Sequence, residues 1–484
     1  MSRRIRGAPI AAASTAALLL GLVAVPVHAE TLADAIALAY ASNPTLQAQR
    51  ASLRALDESW VQARSGFRPS VSGSVTASYS ETRIPALVGN IESNSGRAVL
   101  SLNQPIYTGG RVGAAVAAAR GDILAGRESL RRVEAQILGG VIQSYMDVRR
   151  DQESLRIQTE NVAVLQRQLE ESRARFDVGE ITRTDVAQSE ARLAASVALR
   201  QSAQAQLAIS RGSYTAVVGQ APGELAPPPS LEPLIPATID GAMDIAEQDN
   251  AQIRAAQYAE DAGRARVAGA RAERLPSLSL QASLGQSGVA QPLLTDTYTR
   301  SVSGAAVLTI PLFSGGLTNS RVRAAVERNN VDRITIEITR RSVIQSLTQA
   351  WSALIAARAN IISTEQQVKS ARLAAEGVHQ EQQVGLRTTL DVLNAEQELR
   401  SAQLSQVNAN HDAYVAAATV LSQMGHLTAD LLPASSKYDA KANFNKLRMT
   451  WGWVPWEEPV AMVDSVLTPN AKEKAAVKAR SPSN

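Results

Sequence analysis

The chain is written twice, and the interval hardly varies. The stretch from Thr31 to Val75, with TLADAIALAY and ARSGFRPSVSGSV, returns about 207 residues later as ATIDGAMDIAEQ and ARAERLPSLSL. QPIYTGG at Gln104–Gly110 is answered about 206 residues on by IPLFSGG at Ile310–Gly316. At the same interval DVGEITRTDV (Asp177–Val186) is answered by QVGLRTTLDV (Gln383–Val392), and Val218-Gly219 by Met424-Gly425. A constant offset means that a whole structural unit was duplicated without large insertions. The period is far too long for a solenoid repeat, so the two copies are fold-sized halves related by a pseudo-two-fold.

Residues 1–29 read as a secretory signal: Arg3, Arg4 and Arg6, then an apolar centre from Ile10 to Val25, then the small-x-small triplet Val27-His28-Ala29. Its removal takes three arginines and no acids, so the formal charge falls from +4 to +1. A near-neutral mature chain offers no basic footprint for nucleic acid. The sequence has no cysteine, so an exported chain of this size relies on core burial or oligomerisation rather than disulfides. Beyond the signal no apolar run reaches the roughly 18 residues that a transmembrane helix needs. Aromatic residues make up 4%, which suits long thin helices better than a thick globular core.

Within the first half, Leu32–Ala41 reads as a short helix stopped at Asn43-Pro44, and Thr45 to about Ser65 as a second one ended by Gly66 and Pro69. The period then changes from 3.6 to 2. Val71, Gly73, Val75, Ala77 and Tyr79 share one face, and Ser72, Ser74, Thr76, Ser78 and Ser80 the other. A second alternating run lies near Arg97–Ile106, joined to the first through a polar loop at roughly 81–96. The expected strands are about 70–80 and 97–107, with their copies at about 277–287 and 300–313. One apolar and one small, hydroxylated face suits a transmembrane barrel with a wet lumen, and also the edge of a soluble sandwich. Four strands cannot close a barrel, and an open edge in lipid leaves backbone groups unsatisfied. If the strands span a membrane, several chains share one barrel, with 8, 12 or 16 strands in a dimer, trimer or tetramer.

After Gly109-Gly110 the pattern is helical for about 65 residues, roughly 100 Å. Val116, Ile123, Leu130 and Ile137 repeat every seven, and after a four-residue step so do Val141, Val148, Leu155, Val162, Leu169 and Phe176. Leu347, Leu354, Ile361 and Val368 continue the pattern in the copy. Such a period calls for helices supercoiled on neighbours, either as a solvated antiparallel coiled coil or as the wall of a water-filled tube. Val178-Gly179 breaks the helix, and Thr182 or Thr184 restarts it to about Val218. Each half thus ends in a helical hairpin, with tips at about 177–184 and 383–390. Thr182 with Asp185, and Thr388 with Asp391, have the spacing of an acid variant of the capping box. The resulting division is signal 1–29, first repeat 30–221, proline-rich linker 222–236, second repeat 237–430, and an extension 431–484 with a disordered Lys/Ser/Pro tail. Trp451, Trp453 and Trp456 in that extension find no place in the pattern beyond packing on the helices.

Helix, β-hairpin, long helix, Val-Gly-x-x-Thr-x-x-Asp-Val tip and return helix, all doubled, resemble the TolC family of outer-membrane efflux and secretion ducts over about residues 31–428. The resemblance implies an α+β membrane protein: a homotrimer with a shared 12-stranded barrel in outer-membrane lipid, continued by a periplasmic α-helical tunnel. It implies a passive duct serving a periplasmic adaptor and an inner-membrane pump, ABC-type or proton-driven. Val178, Gly179, Thr184, Val384, Gly385 and Thr388 then fall at the adaptor-docking tips, and Asp185, Asp391, Asn394 and Arg387 at the periplasmic gate. Asp391 matches an entrance-ring aspartate, whereas Asn394 stands where some members carry a second one. Arg387 matches a basic latch residue, but Gln382 occupies a position that is aromatic there. The missing lipid-acceptor cysteine favours the TolC-like branch over lipid-anchored ducts.

Nothing in the sequence supports catalysis, a metal or another cofactor. His379, His411 and His426 stand on separate helical stretches without ligand spacing, and no glycine-rich phosphate loop follows a strand. Two functional classes remain: an export duct, for drugs or for secreted protein, and a periplasmic or surface coiled-coil tether. The hydroxylated face opposite each apolar one favours the duct.

Overall fold

The computed structural model describes residues 29–83, 90–290, 298–428, 438–447 and 453–467. The signal through residue 28, the hairpin loop 84–89, Trp451 and the tail from residue 468 lie outside them. Each half opens with two helices, α1 Leu32–Ser42 and α2 Pro44–Arg64 in the first, α5 Ile239–Asp249 and α6 Ala251–Ala272 in the second. Each then gives two strands, β1 Ser70–Arg83 and β2 Asn90–Tyr107, or β3 Ser277–Gly288 and β4 Thr299–Thr309. A long helix and a return helix follow: α3 Arg111–Asp177 with α4 Arg183–Val218, and α7 Leu317–Gln383 with α8 Thr389–Met424. Two short helices, α9 Ala442–Leu447 and α10 Glu457–Leu467, belong to the extension.

The short and long first helices meet at an asparagine in both halves. Asn43 Oδ1 accepts from the N–H of Thr45 and Leu46, and Asn250 Oδ1 from those of Gln252 and Ile253, so one residue ends one helix and caps the next. At mid-height of the helical body a belt ties the start of the chain, the linker and the helices together. The Tyr145 hydroxyl donates to the carbonyls of Glu30 (2.9 Å) and Ala226 (2.6 Å), and the Tyr214 hydroxyl to the Glu30 carboxylate (2.6 Å). The main apolar core lies here, with Leu138, Val141, Val148, Leu347 and Leu354 buried together. The heptad stripe of α3 is therefore a packing stripe, and it runs out at Phe176, which is exposed.

The four strands form one antiparallel sheet in the order β1-β2-β3-β4, so the two hairpins join through β2 and β3. Register keeps the faces apart: Val71 opposes Leu102, Leu100 opposes Leu284, and Leu284 opposes Val302. The other face carries hydroxyl pairs, Ser78 with Ser95 (2.8 Å) and Ser283 with Ser303 (2.7 Å). The first hairpin climbs further than the alternation: its ladder continues through Glu81 opposite Glu92 to Arg83 opposite Asn90, so the connection is shorter than 81–96. Polar pairs sustain a ladder without leaving an apolar period to read. β4 stops at Thr309 rather than 313, because Pro311 has no N–H for the ladder. In β2 the register slips between Pro105 and Tyr107 for the same reason.

The described parts of the extension, 438–447 and 453–467, are docked on the first half. α9 packs on α2, with Phe444 edge-on to Trp60 and Asn443 Nδ2 donating to Asp57. α10 closes the foot of the first hairpin. Glu457 is buried between Arg64 and Arg68, and Trp456 Nε1 donates to Gln104 Oε1 (3.1 Å).

Candidate functional site: the helical tips and the seam between the hairpins

The two tips are built alike. Past Asp177 and Gln383 the chain turns through glycines in the left-handed region, Gly179 and Gly385, each with φ +81°. The N–H of Glu180 reaches the carbonyl of Arg175, and that of Leu386 the carbonyl of Glu381, which satisfies the ends of α3 and α7. Thr182, rather than Thr184, begins α4. Asp185 Oδ2 accepts from the Thr182 N–H (2.9 Å) and hydroxyl (2.7 Å). In the copy, Asp391 Oδ2 accepts from the Thr388 N–H (3.0 Å) and hydroxyl (2.8 Å). The backbone N–H and hydroxyl of Thr388, helped by the Arg387 charge, hold the Asp391 carboxyl below the usual carboxylate range. Both aspartates thus cap their helices, and Val178, Val384 and Leu386 stand exposed around them, with Thr184 exposed on α4.

Arg387 pairs with Glu381 of its own hairpin (2.8 Å). Gln382, in the position that the resemblance makes aromatic, is buried, with Nε2 3.5 Å from the Thr389 hydroxyl. Asn394 belongs to a cross-hairpin contact: it accepts from Arg192 of α4 (3.3 Å), and Arg192 also donates to Gln397. Arg192 went unread in the sequence. Its only signal was a basic residue two turns past a capping aspartate, the height at which α4 faces α8. Beneath it a cleft of about 200 Å³ is lined by α3, α4 and α8, among them Leu165, Leu393, Glu396 and Arg400. Burial pushes the Glu396 carboxyl up, and burial with the nearby Arg192 charge pushes the Arg400 guanidinium down.

Higher on the seam, buried His411 of α8 meets Asp147 of α3 (2.8 Å) and its neighbour Asp412 (2.9 Å). Burial lowers the His411 pKa, but the hydrogen bonds to Asp147 and Asp412 outweigh it and the net displacement is upward. Arg150 of α3 joins Asp147 to Asp151, and the Ser210 hydroxyl of α4 donates to Asp151. Both halves and three helices share this network. Among the described residues no cluster of His, Asp or Glu has the geometry of a metal site, and no helix is long and apolar enough to cross a membrane.

This arrangement matches known proteins at every level compared. The family model of outer membrane efflux proteins matches residues 35–220 and again 242–426, so each half matches separately. The outer membrane efflux protein BepC of Brucella suis is 34% identical over 87% of this chain and 91% of its own. The outer membrane protein TolC of Vibrio cholerae is 26% identical over 77% of this chain and 85% of its own. The crystal structure of the Campylobacter jejuni CmeC outer membrane channel shares the fold, with a TM-score of 0.72 at 16% identity over 86% of this chain and 89% of that one. The chain belongs to the outer membrane efflux protein family and is an outer-membrane channel, an exit duct of the TolC kind.

Proposed function

We propose that the duct is a homotrimer in which three four-stranded sheets close a 12-stranded barrel in the outer membrane, continued by a periplasmic tunnel of α3, α4, α7 and α8. The observation that carries this reading is the sheet itself. β1 and β4 each end the order β1-β2-β3-β4 with one edge unpaired among the described residues, and the apolar side chains Val75 and Val302 on them are exposed. Such an edge in lipid needs a strand from another copy. The tether alternative needs neither the sheet nor its two-faced register, and it falls with the family assignment. Cysteines scanned along Ser72, Ser74 and Thr76 of β1 against Ser301, Ser303 and Ala305 of β4 test closure in this cysteine-free chain. The expected product of oxidation is a ladder ending at a covalent trimer. Products ending at a dimer or tetramer, or none at all, contradict the assembly.

The tips are the periplasmic end. Val178, Gly179 and Thr184, with Val384, Gly385 and Thr388, form the surface for a periplasmic adaptor, which brings an inner-membrane ABC or proton-driven pump. Asp185, Asp391, Asn394 and Arg387 surround the gate. The exposed apolar residues and rigid caps of the two tips support this reading. In a three-fold tube Asp391 repeats as a ring of ionised carboxylates, which attracts divalent cations. Asp391→Ala is expected to weaken block of the channel by divalent cations added on the periplasmic side. Unchanged block would leave Asp391 only its cap. The duct contributes no energy source, and its cargo, drug or secreted protein, is set by the pump.

A further inference from the structure

We propose that α10 is a membrane-surface anchor, its outward face seated in the headgroup and acyl boundary of the periplasmic leaflet of the outer membrane, against glycerophospholipid, at the foot of the strands. The inference rests on the reading that the sheet spans that membrane.

The sheet register settles which side of the wall the helix occupies. Gln104 has the parity of Leu100 and Leu102 and lies opposite Leu280, so it belongs to the apolar, outward face. Gln104 receives the Trp456 indole N–H and donates to the carbonyl of Phe67, so the start of α10 is fastened to the outside of the wall. The Tyr107 hydroxyl, at the last residue of β2, donates to the carbonyl of Leu467 (3.3 Å) and fixes the other end. α10 therefore lies across the level where strand gives way to helix.

Its two faces then follow from 3.6 residues per turn. Glu457, Val460 and Asp464 form the inner stripe and are buried, Glu457 at 0% and Asp464 at 1% exposure. Met462 and Val466 lie on the opposite arc, at 67% and 70% exposure, and exposed Val463 and Leu467 continue the apolar surface round toward Val460. The exposed polar residues, Glu458 (3.5 Å from Arg64) and Ser465, lie together at one flank of that arc, so the apolar side chains can enter an interface while the polar ones stay at its edge. Burying that arc in an interface follows the physics of in-plane amphipathic helices. Trp453 and Trp456 stand half-exposed beside it, and indoles favour the headgroup level. The sequence after Leu467 adds Lys472, Lys474, Lys478 and Arg480 against a lone acid, Glu473, a charge balance suited to an anionic leaflet.

The test uses the absence of native cysteine. Met462→Cys and Val466→Cys are labelled with bimane in the full-length protein and reconstituted into phosphatidylethanolamine and phosphatidylglycerol vesicles containing doxyl-labelled phosphatidylcholine. Val302→Cys reports the strand face, and Val178→Cys at the tip reports water. The expected result is loss of most of the fluorescence at 302, 462 and 466, and none at 178. Quenching at 302 without quenching at 462 and 466 overturns the anchor and leaves the barrel standing. No quenching at 302 overturns the barrel reading, and the anchor with it. A disulfide from Met462→Cys to Leu312→Cys of another copy, with 462 unquenched, gives the face to a neighbouring protomer and also overturns the anchor.

Discussion

The two strand-to-helix junctions have the same backbone and opposite surroundings. Thr108-Gly109-Gly110 and Ser314-Gly315-Gly316 both turn through left-handed glycines, φ +68° and +81° in the first, +57° and +84° in the second. At the first, Asp464 of α10 accepts from the N–H of Thr108 and Gly110 (3.2 Å for Gly110) and from the Thr108 hydroxyl, placing a carboxylate at the start of α3. At the second, the Ser314 hydroxyl pairs with the Thr318 hydroxyl (3.0 Å) of the helix it precedes, and Leu312 and Phe313 are more than 90% exposed. The long helices repeat the contrast. α3 and α7 each have 67 residues, yet α3 packs on α2, α4, α6 and α8, whereas Val331, Ile334 and Ile338 of α7 lie bare. Duplication copied the backbone, and the single extension was spent on one half. The first half is the chain's own spine; the second leaves more of its apolar surface bare.

The sharpest way to break this comparison is to cut equivalent apolar groups. Leu138→Ala, in the packed part of α3, is expected to cost about 4 kcal/mol from lost burial and a residual cavity. Ile338→Ala on α7 should leave protomer stability within about 0.5 kcal/mol and instead lower the cross-linked oligomer fraction. Thermal unfolding followed by circular dichroism separates the two, and equal losses would erase the distinction between spine and outer helix. Next come the glycines. An added Cβ at Gly109 meets the Leu275 Cβ at 2.8 Å, whereas at Gly315 it meets nothing within 4 Å. Gly109→Ala should therefore cost about 3 kcal/mol, left-handed strain plus overpacking, and Gly315→Ala about 1–2 kcal/mol, strain alone. Asp464→Ala strips two backbone N–H groups and a hydroxyl of their acceptor and is expected to cost about 2 kcal/mol, read as melting of the first junction in hydrogen exchange with the second unchanged.

The smallest effect is one of pH, where the halves touch. The folded pKa of His411 lies above its ordinary 6.5, so the link to Asp147 contributes fully below 6.5 and fades as pH rises through the folded value. Asp147 runs the other way: burial opposes its charge, hydrogen bonds from His411 and Gln143 outweigh burial, and the lowered pKa keeps it ionised until the pH falls below the carboxylate range. Arg150 and Asp151 of α3 and Asp412 of α8 complete the charges around the imidazole. At the matching level of the antiparallel α7 arm stand Arg358, paired with Glu232, and Glu365. The decline on the alkaline side is gradual, because a neutral imidazole still hydrogen-bonds to one carboxylate. His411→Gln should flatten the slope of melting temperature against pH between 6 and 8 (on the order of the imidazole range). A slope unchanged by that substitution would remove His411 from the seam.

Repetition, the change of period from 3.6 to 2, and the Thr-x-x-Asp caps all carry a local signal, and each was legible before any coordinate. The joining of β2 to β3 was not, because pairing between hairpins leaves no mark on either strand's own alternation. Arg192 and His411 were equally silent: each is a single polar residue whose partner lies across the seam, over 200 residues away in sequence. α10 was hidden for another reason. In an 11-residue helix Glu457 and Asp464 read as ordinary surface acids, and only the docked geometry shows them as its buried side.

The most direct measurement is single-channel conductance of the purified mature protein in a planar bilayer. A trimeric duct with capped tips and a ring of ionised Asp391 carboxylates predicts a small, stable conductance that divalent cations on the periplasmic side reduce. A water-soluble protein that neither inserts nor conducts would contradict it.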